Sequence, residues 1–176
     1  MNPRHDPDAP INLIGFMGAG KSTVGRMLAA RLGWDFEDTD ALVERAQGCS
    51  VEEIFRTVGE GRFREAEWAA LCSLEGRKRL VVATGGGLFL GVAQRAFLRG
   101  QGVSCWLDAP LELVAGRVDD GGARPLWPMD DLLSRRAFFE RRRAAYALAD
   151  IRIDASNGGA EELASAIEAA KHSLCR

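Results

Sequence analysis

Eight residues near the start of the chain, Gly15-Phe-Met-Gly-Ala-Gly-Lys-Ser22, constrain it more than any others. They follow a short apolar run, residues 11–14, and precede a stretch with apolar residues at helical spacing, residues 22–32. Glycines let successive backbone N–H groups turn inward and form a concave anion receptor. A helix starting at the same place adds the positive end of its dipole. The pattern is G-x-x-x-x-G-K-[ST], in which the lysine reaches the β- and γ-phosphates of a nucleotide and the hydroxyl ligates Mg²⁺. Gly18, Ala19, Gly20, Lys21, Ser22 and Thr23 are therefore the expected nucleotide-binding residues, with Lys21 also catalytic and Ser22 also a metal ligand. A glycine turn with an accidental lysine would have no reason to sit between a strand and a helix. The motif establishes nucleotide binding but names neither the nucleotide nor the acceptor.

The rest of the chain alternates in the same way. Residues 11–14, 35–37, 80–83, 103–107 and 151–153 read as strands, and residues 22–32, 65–74, 111–118, 131–146 and 161–174 as helices. Ser50 with Glu53 is a capping box that opens a further short helix. Such alternation predicts an α/β fold, a three-layer α/β/α single domain on a five-stranded parallel sheet. With 176 residues, 47% of them hydrophobic, the chain can close a sizeable core as one domain. Residues 1–10 are expected to be a flexible lead-in and residues 11–176 the domain proper. The Gly/Pro-rich stretch from Asp119 to Pro128 is either a mobile lid, spanning roughly residues 119–131, or slack. Ligands of such sheets sit beyond the carboxyl ends of the strands, so chemically useful residues should follow strands.

Charge and cysteine content exclude several classes. A formal net charge of −2 offers no general attraction to nucleic acid or to an anionic membrane. Four scattered cysteines and two histidines argue against a zinc site and against a disulfide framework, and fit a reducing cytoplasm. No secretory h-region and no apolar run of membrane length are present. A cytoplasmic monomer acting on a small molecule is the expectation.

Asp38-Thr-Asp40 follows the second strand. Two carboxylates there can orient Mg²⁺ through its waters and meet an acceptor hydroxyl. Alone, the pattern fits equally well a solvated loop whose acids cap a helix beginning near Ala41. Thr84-Gly85-Gly86-Gly87 follows the third strand and bares backbone N–H groups to a ligand, unless it is only a tight turn. Arg62 and Arg64 stand at a helix start that also reads as an exposed charged turn. Arg117 and Arg124 flank or enter the glycine-rich stretch, placed to stack on a base or fold over a transferring phosphate. Of Arg135, Arg136, Arg141, Arg142 and Arg143, most are expected on a solvated face, with one turned inward. Paired arginines suit an acceptor that carries a carboxylate.

Taken in order, GFMGAGKST, DTD, GEGRFREAE, ATGGG, Arg124-Pro125 and Arg142-x-x-x-Tyr146 resemble the shikimate kinase family, over nearly the whole chain from Ile11. The resemblance implies a P-loop kinase of nucleoside-monophosphate-kinase-like fold that uses ATP and Mg²⁺ to phosphorylate the 3-hydroxyl of shikimate, in aromatic amino-acid biosynthesis. It implies that Asp40 holds and activates the acceptor hydroxyl, and that Asp38 is the outer-shell magnesium aspartate. It further implies that Arg64 and Arg142 grip the shikimate carboxylate beside Gly85, Gly86 and Gly87. Arg124 resembles the catalytic lid arginine over the γ-phosphate, and Arg117 the arginine stacked on adenine. Two positions depart from the family pattern: Trp127 stands where an aliphatic residue is commoner, and Asp154-Ala-Ser-Asn-Gly-Gly lacks the proline often seen in the adenine-side loop. Gluconate and nucleotide kinases share the phosphate loop but fit the G-E-x-x-F-R segment and the triple glycine poorly. A kinase-like sensor without turnover would be expected to have lost Lys21, Asp38, Asp40 or Arg124, and all four are present.

Overall fold

The computed structural model describes residues 3–120, 126–127 and 131–175. Five strands, β1 (Ile11–Ile14), β2 (Asp35–Asp38), β3 (Leu80–Ala83), β4 (Val103–Asp108) and β5 (Ile151–Asp154), form one parallel sheet in the order β2-β3-β1-β4-β5. The three central strands are buried throughout and read as near-continuous apolar runs, as a parallel sheet covered on both faces requires. β2, at one edge, is polar and half-exposed, which is why its sequence signal is weak. Neighbouring β1 and β3 send their connections to opposite edges of the sheet, one to β2 and the other to β4. Their carboxyl ends therefore leave a crevice, the place where ligands of open α/β sheets bind.

The helices are α1 (Lys21–Leu32), α2 (Thr39–Gln47), α3 (Val51–Thr57), α4 (Gly59–Cys72), α5 (Val92–Gln101), α6 (Leu111–Asp120), α7 (Leu132–Tyr146) and α8 (Ala160–Leu174). Ser50 opens α3 as its spacing predicts, the hydroxyl accepting from the Glu53 N–H at 3.2 Å. α4 starts six residues before the expected helix. Gly59, at φ +81°, makes the sharp break from α3, so the Gly-Glu-Gly that reads as a turn is already helical. α5 is absent from the sequence reading. It is ten residues long with Gly100 inside it and Gly91 and Gly102 at its ends, punctuation that reads as loop in sequence although Leu98 is buried and Phe97 packs on the core. α2, α3 and α4 share a small core of Val43, Ile54, Phe63 and Ala70, and this group carries the face that points into the crevice.

Residues 3–10 are tied to the ends of the sheet and to α8: Arg4 pairs with Asp150 at 3.1 Å, His5 Nδ1 lies 2.7 Å from the Leu174 carbonyl, and Lys171 donates to the Asp6 carbonyl at 3.0 Å. Asp6 and Asp8 also pair with Lys78 and Arg79. Lys78 and Arg79 lie more than 70 residues along the chain from Asp6 and Asp8, so nothing local in the sequence marks these pairs. Most of the expected lid, including Arg124, lies outside the described residues.

Candidate active site

The loop after β1 turns through two left-handed glycines, Gly18 at φ +76° and Gly20 at φ +92°, and delivers the chain into α1 at Lys21. A side chain at Gly18 would stand 3.1 Å from the Val114 carbonyl and 3.2 Å from Val118 Cγ2, so α6 closes against the loop there. Lys21 is buried and its Nζ donates to the carbonyls of Gly15 (2.9 Å) and Phe16 (2.8 Å), which keeps the ammonium over the mouth of the loop. Arg117, on α6, donates to the Gly18 carbonyl at 3.1 Å. A cavity of about 500 Å³ opens at this point and reaches from Gly18 and Arg117 past Ser22 and Asp38 to Asp40 and Gly86. Gly158 and Gly159, in the loop after β5, also line it. Gly158 adopts φ +101°, a value closed to proline.

Asp38 reconciles the two readings of Asp38-Thr-Asp40. Its Oδ1 caps α2, accepting from the Asp40 N–H at 3.0 Å, while its Oδ2 accepts from Ser22 Oγ at 2.6 Å. The carboxylate is thus a helix cap and a partner of the expected metal-side hydroxyl at once. Asp40 sits two residues further on, on the cavity wall. Among the described residues no three acidic, histidine or cysteine side chains cluster into a metal cage. That suits Mg²⁺, which keeps waters and takes phosphate oxygens with one or two protein groups. The glycine cradle, the Lys21 ammonium and the Ser22–Asp38 pair together fit a Mg²⁺-nucleotide.

Across the crevice, the three glycines after β3 meet the acceptor-side residues. The Gly85 N–H donates to Thr39 Oγ1 at 2.8 Å, which ties this turn to the one carrying Asp40. A Cβ on Gly85 would fall 2.5 Å from Glu67 Oε1 and 2.7 Å from Asp40 Oδ1, and one on Gly87 would fall 2.5 Å from Arg64 Nη2. Only bare backbone allows these side chains to converge. Arg64 donates to Glu67 at 2.8 Å and to Glu60 at 3.0 Å. Burial works against its charge, but Glu67 and Glu60 more than offset that and raise its pKa. Glu67 itself is 3% exposed, and burial, with Asp40 adding to it, raises its carboxyl above the ordinary range despite Arg64.

Of the arginines on α7, Arg142 is the one turned inward. It is 8% exposed, with its guanidinium 3.5 Å over the Phe138 ring and its Nε without a hydrogen-bond partner. Burial, and then the charge of Arg64, hold its pKa below the ordinary value. Arg136 and Arg141 are exposed. Arg143 pairs instead with Asp108 at the end of β4 (2.9 Å), and Arg135 stacks on Trp127 at 5.1 Å. Arg62 is exposed and bonds to Glu65, so of its helix-start pair only Arg64 faces the crevice. Trp127 packs edge-on against Phe16 of the phosphate loop, ring centroids 5.7 Å apart.

The sequence reading missed Thr39 and Glu67 as parts of this site. Glu67 lies within the quoted G-E-x-x-F-R-x-x-E segment, but a glutamate on a charged helix carries no local sign of burial. Thr39 sits between the two aspartates, and its role depends on a contact 46 residues away.

A phosphate receptor at one end of the crevice and a desolvated arginine at the other, with a carboxylate between them, define a P-loop kinase that phosphorylates a small anionic acceptor. Comparison with known proteins narrows this class. The family model "Shikimate kinase" matches residues 17–171. The shikimate kinase of Geobacter sulfurreducens is 44% identical over 156 residues, covering 88% of this chain and 86% of its own length. That of Synechococcus sp. (strain RCC307) is 42% identical over 173 residues, covering 92% and 88%. Among solved structures, a shikimate kinase from Acinetobacter baumannii in complex with shikimate superposes with a TM-score of 0.89 at 36% identity, covering 98% of each chain. A gluconokinase from Sinorhizobium meliloti, at 18% identity and a TM-score of 0.60, shares the fold alone. The chain belongs to the shikimate kinase family.

Proposed function

We propose that this chain transfers the γ-phosphoryl group of ATP to the 3-hydroxyl of shikimate, giving shikimate 3-phosphate, ADP and a proton. The observation that carries the acceptor is Arg142, a buried guanidinium that no carboxylate among the described residues pairs with and that faces the charge of Arg64. A buried cation in that state is costly unless a ligand supplies the counter-charge, and a planar carboxylate suits two guanidinium groups. The A. baumannii relative crystallised with shikimate, an acid of this kind, supports the same assignment.

Bound, MgATP supplies the phosphoryl group and the charge that offsets its transfer. The chain's own groups do the rest. The glycine loop and Lys21 hold the phosphates, with Ser22 and Asp38 beside the metal position. Arg64 and Arg142 fix the acceptor by its carboxylate against Gly85, Gly86 and Gly87. Asp40 then orients the acceptor hydroxyl and takes its proton as the oxygen attacks phosphorus. Arg117, against the loop, lies on the nucleotide side, and Arg124 is proposed to close over the γ-phosphate and exclude water. Residues 11–176 act as one kinase unit, taken to be a monomer, and the four free thiols accord with a reducing cytoplasm. Among the described residues no helix is long and apolar enough to cross a membrane.

Replacing Arg142 tests this assignment. Arg142→Ala should raise the KM for shikimate at least about tenfold and leave the KM for MgATP within about twofold. An unchanged shikimate KM would remove the carboxylate from this pocket.

A further inference from the structure

We infer that Tyr146 is a positioning residue for the acceptor: its buried hydroxyl holds the Gly86 carbonyl and so aims the Gly87 N–H at the pocket between Arg64 and Arg142. The inference deepens the shikimate kinase reading and rests on it. Tyr146 closes α7 one helical turn beyond Arg142, is 1% exposed, and donates to the Gly86 carbonyl. That bond joins α7 to the turn after β3 across 60 residues of sequence. Its ring lies 6.2 Å from that of Trp106, between elements that are already rigid. Burial pushes the phenol pKa upward, so the hydroxyl stays a donor throughout the working pH range.

Peptide geometry makes the bond consequential. The chain has no cis peptides among the described residues, and in a trans peptide the C=O and the following N–H point in opposite directions. Fixing the Gly86 carbonyl toward Tyr146 therefore turns the Gly87 N–H away from it. Among the described residues no acceptor takes that N–H. On that stretch Arg64 lies so close that a Gly87 side chain would stand 2.5 Å from its Nη2. The Leu88 and Leu90 N–H groups hold the Gly85 and Gly87 carbonyls at 3.1 Å. The peptide joining Gly86 to Gly87, however, is the middle of that turn, the one that can flip between turn types, and glycine does not resist the flip. Thr39 anchors Gly85 beside Asp40, and Tyr146 anchors Gly86 beside Arg142. The arginine and the anchor share one helix face, so carboxylate grip and backbone donor are set together.

Tyr146→Phe keeps the ring and removes the anchor. The KM for shikimate should rise about tenfold, with the KM for MgATP within about twofold and the thermal midpoint lower by a few degrees, the cost of an unmade buried hydrogen bond. An unchanged shikimate KM would overturn the inference, as would both KM values rising together, which marks a merely structural hydroxyl. A second measurement needs no substitution. The chain holds one tyrosine, so growth on 3-fluorotyrosine labels this position alone. Saturating shikimate should shift the ¹⁹F resonance while MgADP alone leaves it in place, and a resonance indifferent to shikimate would overturn the inference even if the phenylalanine variant failed to fold. If the unsubstituted chain turns over no shikimate, the functional reading falls and this inference with it. If it does turn over shikimate and the variant matches it, the inference alone falls.

Discussion

At the residue scale, Asp40 carries the chemistry and Glu67 sets its surroundings. Asp40→Asn keeps size and removes the proton acceptor, so kcat should fall by roughly 10²–10⁴-fold with nucleotide affinity unchanged. Equilibrium titration with MgADP alongside the rate assay checks both, and lost nucleotide binding would misplace Asp40. Glu67 offers a test by pH. Burial raises its pKa above the ordinary 4.5, so the folded chain binds that proton more tightly than the unfolded chain. Its contribution to stability is complete below the unfolded value and falls as pH rises through the raised one. Glu67→Gln cannot ionise, so its thermal midpoint relative to the parent should move upward from about pH 4 to about pH 7. A difference that is flat with pH would contradict a buried carboxyl whose pKa is raised. The aspartates, Lys21 and the inward arginines were legible because each belongs to a short motif beside a strand or helix signal. Glu67 and Thr39 were not, because what defines them is a partner brought in by the fold.

At the scale of elements, the strands were legible where they are apolar and the helices where an apolar stripe is wide. β1 and β3 appear at their expected limits, while β2, β4 and β5 each run one residue further, onto Asp38, Asp108 and Asp154. Those three aspartates read as loop because polarity at a strand end and the start of a loop look alike in sequence. α5 escaped detection because Gly91, Gly100 and Gly102 bracket and interrupt its ten residues, and the first turn and a half of α4 because its opening glycines read as a turn. The turn after β3 is where element and chemistry meet. Gly85→Ala places a methyl group against Glu67 Oε1 and Asp40 Oδ1 at 2.5 and 2.7 Å. Glu67 is too buried to swing aside, so Asp40 is displaced from the acceptor. Shikimate-dependent turnover should fall about 100-fold with MgADP affinity retained, since a shift of about 1 Å is enough for a loss of that size. Normal turnover would mean the carboxylates do not converge on this turn.

At the scale of the whole molecule, segments far apart in sequence close the structure from behind while the crevice stays open at the strand ends. Residues 3–8 link Asp150, Lys78, Arg79, Lys171 and Leu174. Removing residues 1–8 should lower the thermal midpoint by several degrees, at about 2–4 °C per kcal/mol for a chain this size, and leave the shikimate KM unchanged. An unaltered midpoint would show those contacts to be idle, and a raised KM would tie them to the site. The most direct measurement is ADP release from MgATP by coupled assay, first without shikimate and then with it. Release that is slow alone and rises steeply with shikimate is the expected result. Release indifferent to shikimate would contradict the assigned acceptor, and with it the roles given to Arg64, Arg142 and Asp40.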